Sequence, residues 1–132
     1  MLSWDTSIFR ESADAPGDTR DRHIRYAAAL RRREPESQLT MVVRTPRGGA
    51  AQSVRVSDAL VAHSVPCPRW AFAYAARRAL VAIVEEKRFD LVTTQTPFDD
   101  GLVGLWLKHR YGIPLNVQMR SSFLDVPNRI RQ

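Results

Sequence analysis

Phe89-Asp-Leu-Val-Thr-Thr-Gln-Thr-Pro-Phe, Asp99-Asp-Gly-Leu-Val-Gly-Leu-Trp-Leu-Lys-His-Arg-Tyr-Gly and Ile113-Pro-Leu-Asn-Val-Gln-Met-Arg-Ser-Ser-Phe-Leu-Asp run on from one another, and their reading decides the fold. Leu91 to Gln95 is a short run rich in β-branched residues and closed by a proline, which predicts a strand. Asp99 or Asp100 can cap a helix that carries Leu102, Val103, Leu105, Trp106 and Leu107 and stops at Gly112, with Pro114 just beyond. Leu115 to Met119 then predicts a second strand. The connection is too long for a hairpin, so the two strands should be parallel, in one βαβ unit.

Polar residues just past the carboxyl ends of such strands face the crevice where ligands bind. Here they are Gln95, Thr96 and Asp99 after one strand, and Arg120, Ser121 and Ser122 after the next. The helix between them opens on the same crevice, with free N–H groups suited to hydroxyls or anions. Gly101 and Gly104 lack side chains and would let backbone or ligand come close. The plain alternative for Gln95 and Asp99 is a strand-end polar residue and a helix cap.

The chain has 132 residues, enough for one domain with a real core. Apolar residues make up 44% and charged residues 26%, the balance of an ordinary globular protein. The net charge of +6 comes from 20 basic residues, nearly all arginine, spread evenly on both sides of Pro66 with acids interleaved. A nucleic-acid binder more often gathers its charge into a stripe or tail, so nucleic acid is an unlikely partner. A basic surface still favours an anionic membrane or an acidic substrate, so peripheral contact with a membrane stays open. A single cysteine, Cys67, rules out an internal disulfide and leaves no thiolate metal site. His23, His63 and His109 show no ligand spacing. No metal and no cofactor is expected. No signal peptide is recognisable and no apolar run approaches ~18 residues, which points to a cytoplasmic protein.

Upstream, Met1 to Trp4 is apolar and ends abruptly at Asp5, as a strand followed by its loop would. A helix is expected from Asp18 to about Arg33, with Ile24, Ala27, Ala28 and Leu30 as its buried stripe. Arg31, Arg32 and Arg33 suit the negative end of its dipole, and no aromatic residues are interleaved there to suggest RNA binding. Leu39 to Val43 is nearly continuous apolar sequence, the mark of a strand covered on both faces. Thr45-Pro-Arg-Gly-Gly reads as a hairpin-like turn, Ser53 to Val56 as a strand leading away from it, and Leu60 to Val65 as another short strand. Arg69 to Lys87 is the longest helical pattern. Its apolar residues wrap much of the circumference, which predicts a heavily buried helix with its aromatics in the core.

The order β, α, β, β, β, α, β, α, β predicts an α/β domain, a Rossmann-like, doubly wound and mostly parallel sheet. The first strand is short for a central one, and no helix follows the last strand. Both features suggest a single incomplete domain from a larger protein.

At Asp90-Leu-Val-Thr-Thr-Gln-Thr-Pro-Phe-Asp-Asp-Gly-Leu-Val-Gly and Gly112-Ile-Pro-Leu-Asn-Val-Gln-Met-Arg, the chain resembles the N-terminal domain of family 4 glycosyltransferases. More loosely, the likeness extends to Ser3-Trp4-Asp5, to Arg22-His23 with Tyr26-Ala27, and to Phe72-Ala-Tyr-Ala-Ala. The resemblance implies a retaining enzyme of GT-B architecture, in which residues 1–132 form the Rossmann-like acceptor-side domain. A C-terminal domain absent from this chain would hold the nucleotide sugar. Trp4 and Asp5 after the first strand and the Gln95 to Asp99 turn would line the acceptor side of the cleft. Many relatives carry Gln-x-His where this chain has Gln118-Met-Arg120. Arg120 stays protonated and cannot serve as a base. It could hold an acceptor phosphate or carboxylate, or steady departing diphosphate, unless it is simply a surface arginine at a strand end.

Two departures matter. The glycine-rich turn that many relatives have after their first strand is missing, and no two glutamates stand seven residues apart as in the family's donor domain. The fragment alone should therefore be inactive, and no catalytic residue is assigned to it. Three functions follow as expectations. The first is the acceptor-binding half of a bacterial transferase moving a sugar from a nucleotide sugar to a glycan or lipid-linked acceptor. The second is a stand-alone module that binds a small anionic ligand through Arg120 and the Asp100 helix start. The third, weakest, is a nucleic-acid binder.

Overall fold

The computed structural model describes residues 1–3, 6–9 and 19–118. Trp4, Asp5, Arg120, Ser121 and Ser122, all expected at the site, lie outside the described residues. Among the described residues, nine helices and strands occur in the expected order: β1 (Leu2–Ser3), α1 (Thr19–Arg33), β2 (Leu39–Thr45), β3 (Ser53–Ser57), β4 (Leu60–Pro66), α2 (Phe72–Glu86), β5 (Val92–Thr94), α3 (Asp99–Tyr111) and β6 (Leu115–Val117). Short 3₁₀ turns at Thr6–Phe9 and Arg69–Ala71 precede α1 and α2.

The strands form one sheet in the order β3-β4-β2-β1-β5-β6. Every pairing is parallel except β3 with β4. β1 is only two residues long, but the Met1 nitrogen donates to Thr40 O at 2.6 Å and Val42 N donates to Met1 O at 2.8 Å. Its ladder with β2 therefore reaches one residue further.

Period-two alternation in β2 builds both halves of the core. Val42 joins Leu2, Val65, Phe72, Leu80, Val103 and Leu107 under α2 and α3. Met41 and Val43 point the other way, to Ile8, Ala27, Leu60 and Ala62 under α1. Helices on both faces of a mostly parallel sheet make the fold doubly wound, as the residue pattern predicts.

Three local expectations need correction. The turn after β2 does not join neighbouring strands, because β4 lies between β2 and β3. The hairpin is instead β3–β4, closed through Asp58 and Ala59. β4 is buried along most of its length and must be interior, whereas β3, with Arg55 exposed, tolerates the edge. In α1 the inward residues are His23 and Ala27, while Ala28 and Leu30 are exposed. In α2 only Phe72, Ala76 and Leu80 are buried, one stripe at i, i+4, i+8. Trp70 is 85% exposed and Tyr74 68% exposed, so two of the aromatics expected in the core stand in solvent.

α3 packs tightly over β5 and β6. A Cβ on Gly104 would lie 2.6 Å from Leu115 Cδ1 and 2.8 Å from Thr94 Cγ2. Leu115 can turn aside, but the β-branched Thr94 is stiff and fully buried. Gly104→Ala should therefore lower stability by about 1–3 kcal/mol in a denaturant titration. A variant as stable as the parent would show that the helix can lift off the strand freely. Gly112 closes α3 in the left-handed region at φ 71°, and its N–H donates to Lys108 O at 3.0 Å.

Candidate functional site

The topology itself selects a place. From β1 the chain works outward to one edge of the sheet, and α2 then carries it back across to β5 on the other side of β1. The order reverses between β1 and β5, and in open α/β sheets ligands sit at the carboxyl ends of the strands at this switch. Ser3 ends β1, and Gln95 follows β5 directly.

The two residues meet there. Ser3, fully buried, donates its hydroxyl to Gln95 Oε1 at 3.2 Å, so one side chain spans the switch point. The other end of the same amide, Nε2, is buried and has no hydrogen-bond partner among the described residues. A buried amide nitrogen normally has a partner, because leaving one unmet costs about 1–3 kcal/mol. Gln95 therefore presents a donor unmet among the described residues, at the point where open α/β sheets generally bind ligands.

Asp100 fixes the loop that carries Gln95. Its carboxylate is fully buried, and Oδ2 accepts the backbone N–H groups of Gln95 (2.8 Å) and Thr96 (2.9 Å). Oδ1 accepts the Thr96 hydroxyl. That hydroxyl oxygen also accepts the Phe98 N–H at 3.3 Å, while Thr94 Oγ1 donates to Thr96 O at 3.3 Å. The residue before the helix is Phe98, so neither expected aspartate takes the cap position. Asp100 lies inside the first turn and reaches back to the loop, with its charge favourably placed near the positive end of the helix.

Gly101 explains how this loop lies flat on α3. A Cβ there would come within 2.9 Å of Thr96 O, a backbone atom with no room to retreat. The space left by the missing side chain is taken by the loop backbone.

The structure thus brings Gln95, Thr96, Asp99 and Gly101 together at one corner, with Asp99 half-buried at the helix start. Sequence reasoning missed Ser3, whose partner is 92 residues away, and read Asp100 as a cap or an anion-binding helix start rather than as the anchor of its loop. The available signal was position: an aspartate inside the first turn is free to reach back to its loop.

Other reactive groups lie elsewhere. Burial pushes the Cys67 thiol up, against the opposing pull of Arg44, which keeps it protonated and unreactive. Burial and nearby Lys87 lower the pKa of His63 in the middle of β4, with Glu86 acting against them. No group of three His, Cys, Asp or Glu suited to a metal occurs among the described residues, and none of their helices is long and apolar enough to cross a membrane.

A family model, Glycosyltransferase Family 4, matches residues 23–129. No curated protein and no solved structure matches the chain. The family match runs through α1, every strand after β1, and the whole Gln95 loop with Asp100 and Gly101. This chain belongs to glycosyltransferase family 4.

Proposed function

We propose that the chain is the acceptor-side domain of a retaining, GT-B glycosyltransferase. The nucleotide sugar would be held mainly by a second α/β domain outside this sequence. The observation that carries this reading is the buried Gln95 amide at the β1–β5 switch point, with its carbonyl held by Ser3 and its NH₂ unmet.

An acceptor hydroxyl or ring oxygen is a suitable partner for that NH₂. The Asp100 network holds the donor in place before the acceptor arrives, so little ordering cost remains at binding. Trp4 and Asp5, next along the chain from Ser3, would contribute from β1. Arg120, Ser121 and Ser122 would contribute from beyond β6. Arg120, always cationic, would hold an acceptor phosphate or steady the departing diphosphate rather than move a proton. Glycan and lipid-linked acceptors both suit this set.

The stand-alone anion-binding reading is less well supported. The loop N–H groups of Gln95 and Thr96, which could cradle an anion, already point at the Asp100 carboxylate. A second anion there would meet a buried negative charge.

The domain assignment is tested by reading the DNA downstream of Gln132. It should continue in frame into a second α/β domain with two glutamates seven residues apart. A stop codon at that point would leave the chain without a donor site and overturn the reading.

A further inference from the structure

The sheet face that carries α2 extends beyond the helix toward the edge strand β3. His63 of β4 lies on this face, because it pairs with Val42, which packs under α2. Register puts Ser53 of β3 opposite His63, and Arg55 opposite Val61, with Thr40 of β2 on the other side of Val61. Glu86 and Lys87 at the end of α2 close the remaining side, leaving a groove of about 300 Å³. Thr40 is the second residue of β2, so the groove sits toward the amino end of the sheet, away from Gln95.

Arg55, exposed at the rim, has no hydrogen-bond or ion-pair partner among the described residues. The Lys87 ammonium donates to Gln38 Oε1 at 3.0 Å and keeps its other protons for solvent. Thr40 and Ser53 add hydroxyls, and His63 is half-buried in the floor. Among the described residues, Glu86 is the one carboxylate in the lining. The last carbonyls of α2 add partial negative charge, which Lys87 at the helix cap offsets.

Two permanent cations, a protonatable imidazole and two hydroxyls thus face one carboxylate. Guanidinium, ammonium and hydroxyl donors around one space suit a tetrahedral oxyanion. The volume, at the low end for small-ligand sites, leaves room for more than the anion alone. We propose that this groove binds the phosphate group of a small soluble metabolite. The site stands independently of the acceptor reading.

His63 makes binding sensitive to pH. Arg55 faces it from β3, and Glu86 and Lys87 face it from α2, whereas Arg44 on β2 turns away to donate to Cys67 O at 3.0 Å. Burial and Lys87 hold its pKa below the usual value, so the ring is mostly neutral at pH 7 in the empty groove. A bound dianion favours the imidazolium and raises that pKa. By linkage the anion then binds more tightly at low pH, and affinity falls as the ring loses its proton.

The test is a sulfate titration of this chain at fixed ionic strength, followed by nuclear magnetic resonance of the Ser53 and His63 amides. Sulfate keeps one charge between about pH 5 and 8, so any pH dependence reports the protein. Saturable shifts are expected, with affinity falling across that range and His63→Gln flattening the profile. Arg55→Gln should weaken binding about tenfold, as for one charge-assisted hydrogen bond. Glu86→Gln should tighten it about twofold to threefold by removing a repulsion. Both side chains are exposed, so these two variants should keep the parent's circular dichroism. Glycerol phosphate should displace sulfate, and glycerol should not.

Four results would overturn the proposal: no saturable shift, unchanged affinity in either charge variant, a pH profile that survives His63→Gln, or displacement by glycerol. Arg55→Gln should leave glycoside-induced shifts at Gln95 unchanged, so this groove and the acceptor corner can fail separately.

Discussion

Asp100→Ala should destabilise the domain by about 3–4 kcal/mol, the largest loss expected from any single change in the Gln95 loop. The carboxylate accepts two backbone N–H groups and one hydroxyl while fully buried. Hydrogen bonds to a charged acceptor contribute about 1.5–3 kcal/mol each, and groups stripped of a partner without reaching water carry a further penalty. The Gln95 and Thr96 N–H groups would be left in that state unless the loop opened. The effect should appear as a lower denaturation midpoint with an unchanged slope.

Asp100→Asn separates the causes. Its remaining carbonyl oxygen can still accept the two backbone donors, and its amide can donate to the Thr96 hydroxyl, so the loss should fall to roughly half or less. If Asp100→Ala were within about 0.5 kcal/mol of the parent, in the range of an ordinary surface change, the loop would not depend on this carboxylate.

Gln95→Ala should act on function far more than on stability. In the transferase that contains this domain, kcat/KM for the acceptor is expected to fall about tenfold to a hundredfold, as for one or two lost hydrogen bonds. The KM of the nucleotide sugar should stay close to the parent value, because that ligand is assigned to the other domain. A variant that raised the donor KM instead would move Gln95 to the donor side. Stability should drop by only about 1 kcal/mol, since the change removes the Ser3 partner but also an unmet buried donor.

Much of this was legible in the residues. The βαβ unit from Leu91 to Val117 could be read from β-branched runs, from Gly112 and from Pro114, because these signals are local. Element order followed for the same reason. Strand neighbours were not legible: the turn at Thr45-Pro-Arg-Gly-Gly says where β2 ends but not that β4 will lie between β2 and β3. That outcome depends on which strand has two apolar faces to bury, and it is settled only when the sheet assembles.

Helix faces were partly legible. The alanine run Ala27-Ala28-Ala29 in α1 gives almost no contrast around the helix, so periodicity could not choose Ala27 over Ala28. His23 turned inward instead, with Nδ1 2.6 Å from Thr19 O. In α2, apolar residues surround the axis, yet a helix on one sheet has only one stripe to bury. Trp70 and Tyr74 were left outside. At the candidate site, Gln95, Thr96 and Asp99 could be singled out because polar residues after parallel strands carry meaning by position, and Gly101 because it lacks a side chain. Ser3 was not, because nothing local marks a two-residue strand's last serine as the partner of a glutamine 92 residues on.

The central claim is that the unmet Gln95 NH₂ receives the acceptor. The most direct test is to follow the Gln95 side-chain amide signals by nuclear magnetic resonance in this chain, while adding a panel of methyl glycosides and, separately, nucleotide sugars. The account predicts that at least one glycoside shifts the Gln95 NH₂ signals together with the Ser3 and Thr96 amides, and that nucleotide sugars leave all three in place. Shifts of these signals by nucleotide sugars, with none from any glycoside, would contradict it.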